Sequence, residues 1–563
     1  MFLLYFSIVI LLIVANRNVV ESIPLNLNVG VHLFVDNQYL ENSSSLEFQN
    51  GVIQKDTEHP IIYPEYPWEA AVHFFTSFLQ VPSNLSINEK PMYIIYYVCF
   101  DKDTIVDKHK LSICAANSTD GIKWEKPLLW YHPYTANGTQ PSQPSNIIFV
   151  TEIGKLLGSV FIDTRAGISR SEIFKMTYGN ISSAYFYVST SPDGFNWTAG
   201  PQPAHKLDNI SDTQTVMLYT HQNDGAYVLY GRRDKVEFKN STLYCHGGSQ
   251  SGRRVVVITS NGSVYGPWSD PVEAFPLGSP DPIQCLDNYN AGTLYYKNIY
   301  FLFPSAYSHW SIFDSGSHDK PGNDGVMDIR LAVSRTPVGP YTFPSRDPFI
   351  VRGTGTIDPT CKILNGTGSD RDAGFVFSTA NGLLDPDFIR QSSDTNPSPW
   401  MYHLYWGSQT THASAILILG RFWPGAYSGI FKARVRREGY VALSTLTSNP
   451  TGYGWFLTQV VSLPSELNNM QLQLRINAEI ATAGFLNVQF EDGQTGNPIP
   501  GYTFEQCKTL HGNGIRQLVQ WTRQNETYTA DLTPLVNYTN GIRIRLEMAH
   551  TKLYSWLLSY TDI

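Results

Sequence analysis

The chain has 563 residues, a formal net charge of −8, and 16% charged against 13% aromatic residues. Its length implies more than one domain and ample material for a core. Mild acidity without a basic run argues against nucleic acid as a partner.

The opening MFLLYFSIVILLIVA is an apolar block of signal-peptide length, with cleavage expected after Ser22 or Ala15. No Lys or Arg precedes Arg17, so an uncleaved anchor is the second reading. No later stretch is long and apolar enough to span a bilayer, so no membrane contact is expected after cleavage. About a dozen N-x-S/T sequons run from Asn42 to Asn537. With a leader, they predict a secreted glycoprotein, with lysosomal or cell-surface retention left open. Six cysteines are free to pair there, but they are too sparse for a disulfide scaffold and show no zinc-type spacing.

The phrase S-x-D-G-x-x-W occurs at STDGIKW, from Ser118, and at SPDGFNW, from Ser191. Degenerate copies open at Ser260 (SNGSVYGPW) and Ser334 (SRTPVGPY), so the period is roughly seventy residues. A β-rich run precedes each copy: LSICAAN, YFYVST, VVVITS and IRLAVS. Asp-Gly or Gly-Pro supplies a tight turn, and the aromatic is expected to pack on the next strand. Upstream lie further strands, among them PMYIIYYVCF, KLLGSVFI, GAYVLYGR and NIYFLFPSAY. Strand units repeated at a fixed period predict a β-propeller.

A fifth unit follows Asp358, with Glu438-Gly439 in the place of the turn, and VHLFVD is a candidate strand to close the ring. Beyond about residue 440 the period stops, and alternating strands such as LQLRINAEI and GIRIRLEMA predict a β-sandwich. The expected architecture is all-β: a leader at 1–22, a five-bladed β-propeller at 23–438 and a C-terminal β-sandwich at 439–563.

In a propeller the innermost strands converge on a channel. About fifty residues ahead of each turn serine stand Glu69, Asn146, Asp212 and Asp281, and the fifth unit offers Asp358. Carboxylates gathered around one pocket divide into acid and base or nucleophile, because repulsion and unequal burial push their pKa values apart. Glycoside hydrolysis requires such a pair. Turn or capping roles compete, above all for the Asp-Pro pairs at Asp281 and Asp358, so Glu69 and Asp212 lead.

Secondary substrate-binding candidates are Trp68, for stacking on a sugar ring, Asn146, and Asp163 with Arg165 in FIDTRAG. Tyr307, His309 and His412 stand near strand ends, and Asp328 and Arg330 form an ion pair or a substrate contact. Core packing, exposure or a solvated hairpin is the ordinary alternative for each. No G-x-S-x-G, H-E-x-x-H, Walker or dinucleotide motif occurs in a fitting context. No cofactor is expected, and a structural Ca²⁺ in the channel is left open.

The chain resembles the five-bladed glycoside hydrolase superfamily that includes invertases, fructanases, arabinanases and β-xylosidases. HLFVDNQYLE, YPWE, STDGIKWEKP, SDTQTV, DIRLAVS and REGYVAL are similar to a family-32/43-like group of secreted, mostly bacterial proteins. INAEI, GNPIPGYTFEQC and LYSWLL are similar to the sandwich those proteins carry, so the resemblance covers nearly all of the mature chain. It implies a nucleophile or base at Glu69. A transition-state stabiliser or pKa modulator and a general acid fall among Asp212, Asp281 and Asp358. The chain departs from the invertase pattern in lacking W-M-N-D-P-N-G and the Glu-Cys acid motif, and in carrying Glu for the usual first-blade Asp. The expectation is a secreted glycosidase acting on a polysaccharide or glycan. A non-catalytic carbohydrate-binding glycoprotein on the same scaffold is the alternative, and a sialidase ranks last because no arginine triad is evident.

Overall fold

The structure, a computed structural model, describes residues 24–74, 76–100, 111–135, 141–151, 155–180, 185–200, 205–206, 211–219, 226–233, 254–275, 286–309, 325–354, 370–409, 428–465, 470–523 and 527–562. The expected leader, Asp281, Asp358 and His412 lie outside them, and Asp212 and His309 are placed by their strands alone. The described chain is all-β, in two units. Gln49–Val441 forms one, and the flanking stretches up to Phe48 and from Ala442 form the other.

The larger unit is a succession of antiparallel sheets. In the first, Ala71–His73 and Phe78–Val81 pair with Met92–Phe100, which pairs with Leu111–Ser118, and Ile147–Thr151 lies outside. The second runs Lys155–Ile162, Phe174–Asn180, Tyr185–Ser191. The third runs Ser211–Tyr219, Ala226–Arg233, Arg254–Asn261, Val272–Glu273. A nine-stranded sheet follows, in two up-and-down halves. Leu286–Tyr296, Ile299–His309 and Gly325–Ile329 meet the second half at a single parallel pair, Met327 with Phe375. The second half continues from Phe375–Phe377 through Trp400–Ser408 to Ser428–Arg436. Central strands such as Met92–Phe100 bury both faces, which is why they read as unbroken apolar and aromatic runs rather than alternations.

The repeated phrase is architectural. At Ser118 and again at Ser191 the hydroxyl accepts the N–H of the glycine three residues on, at 2.8 and 2.9 Å. The intervening aspartates, Asp120 and Asp193, each accept the next two free N–H groups at 2.7–2.9 Å. Gly121 and Gly194 take φ of +71° and +84°, a conformation that disfavours a side chain. Trp124, which closes the first turn, meets Phe78 of its own sheet, but after that turn the closing aromatic packs on the preceding sheet or half-sheet, not on the next strand. Trp197 meets Tyr96 edge-on, Trp268 meets Phe186, Tyr341 meets Tyr230, and Tyr440 meets Phe301 and Phe303. These later turns thus join one sheet, or half of the nine-stranded sheet, to the one before it.

Where the inner strands break register, side-chain hydroxyls satisfy the freed backbone groups. Ser77 Oγ accepts from Val160 N at 2.8 Å, Ser378 Oγ from Gly292 N at 2.9 Å, and Thr379 Oγ1 donates to Thr76 O at 2.9 Å. These bonds link neighbouring sheets along their inner edges.

The expected closing strand is corrected. VHLFVD belongs to the smaller unit: Gly30–Leu33 pairs with Ile542–Asp562, placing Val31 opposite Leu557 and His32 opposite Trp556. The strand that completes the last sheet is Ile53–Lys55, antiparallel to Ser428–Arg436. Residues 24–48 therefore leave the propeller segment expected at 23–438. Alternation marks VHLFVD as half-buried but does not say whose edge it joins. Phe34, packed 4.9 Å from Trp556 in the smaller unit's core, decides it.

In that smaller unit the long strands Met470–Asp492 and Ile542–Asp562 pair along their length, with register breaks at Asn477/Ala478 and Ile480/Phe485. Leu474 and Ile476 before the breaks, and Val488 and Phe490 after them, enter one core with Trp521 and Trp556. Bulges bend both strands so that their two halves face that core.

At Gly194 an added Cβ would stand 2.6 Å from Tyr96 Oη, whereas at Gly262, with φ of +90°, it meets nothing within 4 Å. Gly262→Ala therefore costs only left-handed strain, about 1 kcal/mol. Gly194→Ala adds a clash and is expected to lower the thermal midpoint at least twice as far in parallel melts.

Candidate functional site

Antiparallel register decides which end of a sheet each residue occupies. In the first three sheets the inner strand starts at one end and the repeated turn lies at the other. Arginines tie the turn ends together. Arg170 donates to Asn84 O and Leu85 O at 3.1 and 2.8 Å, and Arg165 to Gly262 O at 2.7 Å. The three sets of turns thus share one side, and the inner-strand starts share the other.

Glu69 stands just ahead of Ala71–His73, and Asp212 is the second residue of Ser211–Tyr219. Both are on the side away from the turns. Asp163 and Arg165 follow Lys155–Ile162 and stand on the turn side, so they are not brought to Glu69. The Asp163 carboxylate is fully buried and spent on Arg165 at 3.1 Å, Lys175 at 2.9 Å and the Tyr227 hydroxyl at 2.5 Å. This ion-pair network replaces the solvated hairpin.

The Glu69 carboxylate is enclosed by donors. Its Oε2 accepts from Lys126 Nζ at 2.8 Å and from the backbone N–H groups of Glu65 and Tyr66 at 3.0 and 3.2 Å. Its Oε1 accepts from the Tyr97 hydroxyl. Asn146 joins the same network, although it precedes Ile147–Thr151, an outer strand of the first sheet, rather than an inner one. The Trp68 indole N–H can only donate, and Asn146 Oδ1 accepts it at 2.7 Å. Asn146 Nδ2 then donates to Ala115 O at 3.0 Å and to the Tyr97 oxygen at 2.7 Å. The hydrogen of Tyr97 is left to point at Glu69. Burial first, then the Glu69 charge, push the Tyr97 hydroxyl pKa far up, so it stays a donor.

Trp68 is buried beneath Tyr66, which stacks on it at 4.7 Å and 10°, and it has no free face for a sugar. Tyr97 is brought level with Cys114 by strand register, and the Cys99–Cys114 disulfide braces the two strands there. Among the described residues Cys507 is the remaining cysteine, buried and unpaired.

Tyr307 is also core: it is fully buried and packs edge-on against Tyr289. His309 follows near the end of the same strand, on the side of the inner-strand start. Asp328 Oδ1 accepts from Arg352 N at 2.7 Å, and the Arg330 guanidinium donates to Arg346 O, so both hold neighbouring backbone. Arg232 was not foreseen. It lies opposite Ser211, beside Asp212, with its guanidinium 4.6 Å over the Tyr289 ring. No spacing rule marks it, because it comes from the second strand of its sheet.

A second enclosed carboxylate, also unforeseen, is Asp372, just ahead of Phe375–Phe377. Its Oδ2 accepts from Lys55 at 2.7 Å and Tyr405 at 3.0 Å. Burial raises the Asp372 carboxyl and the two donors oppose that rise. Lys55 comes from the closing strand, so this pair secures the last sheet's edge. Among the described residues no group of three or more His, Cys, Asp and Glu is placed to hold a metal ion.

No family model and no curated protein matches the chain. In structure it is similar to solved glycoside hydrolases. A thermostable family-43 glycoside hydrolase shares 15% identity over 68% of this chain and 97% of its own, with a TM-score of 0.35. A fructofuranosidase from Schwanniomyces occidentalis shares 8% over 95% and 99%, at 0.38. An α-L-arabinofuranosidase from Podospora anserina shares 12% over 69% and 98%, at 0.36. These scores are too low to carry an assignment.

Two consequences can be measured. Removing Lys55 as Lys55→Met leaves Asp372 buried without its cation. A loss of about 3 kcal/mol in urea unfolding is expected, and Lys55→Met with Asp372→Asn should recover part of it. Burial lowers His73 and His403 to about 3. Between that value and about 6.5 the unfolded chain binds protons that the folded chain refuses. Stability therefore falls with falling pH, by about 1.4 kcal/mol per pH unit for each histidine. His403→Phe, in a pocket of Phe303, Phe349 and Tyr440, should flatten that slope between pH 6 and 4.

Proposed function

We propose that the protein is a secreted glycosidase that takes a polysaccharide or glycan at the ends of the inner strands away from the repeated turns. On this reading the sheets of the larger unit form a five-bladed propeller. Asp212 is a reacting carboxylate, with Asp281 and Asp358 as its candidate partners. The observation that supports it most is placement. Asp212 stands at an inner-strand start on the side away from the repeated turns, and its neighbour Ser211 pairs with Arg232, whose guanidinium lies over the Tyr289 ring.

The chemistry this reading requires is that of a carboxylate pair. A general acid protonates the leaving oxygen, while a facing carboxylate attacks the anomeric carbon or activates water, through an oxocarbenium-like transition state. The solved structures that the chain is similar to include the arabinofuranosidase, described in complex with cellotriose. That is a property of the arabinofuranosidase.

Asp212→Asn is expected to lose at least about a thousandfold in turnover on the best substrate of a glycan panel, with an unchanged circular dichroism spectrum. Wild-type-like turnover in that variant removes Asp212 from the mechanism. Glycan binding without cleavage by the wild-type protein replaces the enzyme reading with a binding one.

A further inference from the structure

Glu69 has no exposed surface, and each group that bonds its carboxylate is a donor: Lys126 Nζ, two backbone N–H groups and the Tyr97 hydroxyl. Glu69 is therefore enclosed, with its carboxylate oxygens spent on these donors, and unable in this arrangement to reach a sugar.

What the carboxylate does hold is a loop. Its bonds to the N–H groups of Glu65 and Tyr66 fold residues 63–69 back on themselves. Lys126 spends its three hydrogens on Glu69, on Glu65 Oε2 at 2.7 Å and on Tyr63 O at 2.7 Å. One ammonium thus fixes both ends of the loop, and its own side chain is 5% exposed. The loop turns outward what a sugar site uses. Tyr63 is 44% exposed, and beside its hydroxyl lies Glu65, whose side chain is also 44% exposed. The Glu65 charge and its hydrogen bond raise the Tyr63 pKa, which keeps that hydroxyl protonated. A flat aromatic face beside a carboxylate acceptor suits a sugar ring, whose C–H face stacks and whose hydroxyls donate.

We propose that Glu69 is a positioning residue, the buried clamp of a sugar-binding lip at residues 63–67, and that Tyr63 and Glu65 contact the sugar. The sugar rests on the glycosidase reading above; the clamp does not.

The clamp is tested without substrate, by cleavage of the Glu65–Tyr66 bond with a glutamyl endopeptidase. The wild-type protein should resist, and Glu69→Gln and Lys126→Met should each be cut there at least tenfold faster. Equal rates in all three overturn the clamp. On aryl glycosides from a panel, Tyr63→Ala should raise KM at least tenfold with kcat within threefold of wild type. An unchanged KM removes Tyr63 from the lip. Azide should not restore turnover to Glu69→Ala or, if that variant does not fold, to Glu69→Gln. Recovery with formation of a glycosyl azide, in which azide nitrogen bonds the anomeric carbon as the aryloxide leaves, would show Glu69 to be a reacting group. If the wild-type protein cleaves nothing, the glycosidase reading fails. The endopeptidase result then still decides the clamp, and binding of the same glycosides to Tyr63→Ala decides the lip.

Discussion

Antiparallel pairing assigns every residue of the larger unit to one end of a sheet or the other, and the functional geometry follows from that assignment. A strand that runs outward to the repeated turn must begin at the opposite end. Once Arg165 and Arg170 bind the turn ends of three sheets into one side, the starts of the inner strands are gathered on the other. Glu69 and Asp212 stand on the same side for that reason, and Asp163 stands on the other.

The repeated phrase secures this arrangement with ordinary chemistry. Serine and aspartate side chains take up the N–H groups that a tight turn leaves unbonded, glycine takes the left-handed conformation, and after the first turn the closing aromatic packs on the preceding sheet or half-sheet. The inner strands add a second set of links where their registers break, because a bulge frees amides that Ser77 and Ser378 then accept. Two layers of contact, one at the turns and one along the inner edges, hold neighbouring sheets to one another.

At the candidate site, enclosure changes what a carboxylate can do. Glu69 and Asp372 each combine burial, a lysine and a tyrosine; Glu69 holds backbone N–H groups in place, and Asp372 holds the closing strand through Lys55. The exposed chemistry near Glu69 belongs to Tyr63 and Glu65, which flank the buried residues in the sequence. Function in such a loop divides between an anchor that must be dry and a face that must be wet.

From the sequence alone came the all-β class, the roughly seventy-residue period, the architectural meaning of the repeated turn, and Glu69 and Asp212 as inner-strand residues. These follow from local rules: alternation, turn chemistry and repetition act over a few residues and leave their mark in order. Only the tertiary structure decided that VHLFVD joins the smaller unit while Ile53–Lys55 closes the last sheet. It alone showed that Trp68 is covered by Tyr66, that Asp163 faces the turn side, and that Tyr97, Lys126 and Arg232 attend the site. Those outcomes depend on which edges and faces meet across long stretches of chain, and no short-range pattern records them. Burial was the least legible of all, because whether a carboxylate is enclosed depends on partners such as Lys126 and Tyr97 that lie far from it in sequence.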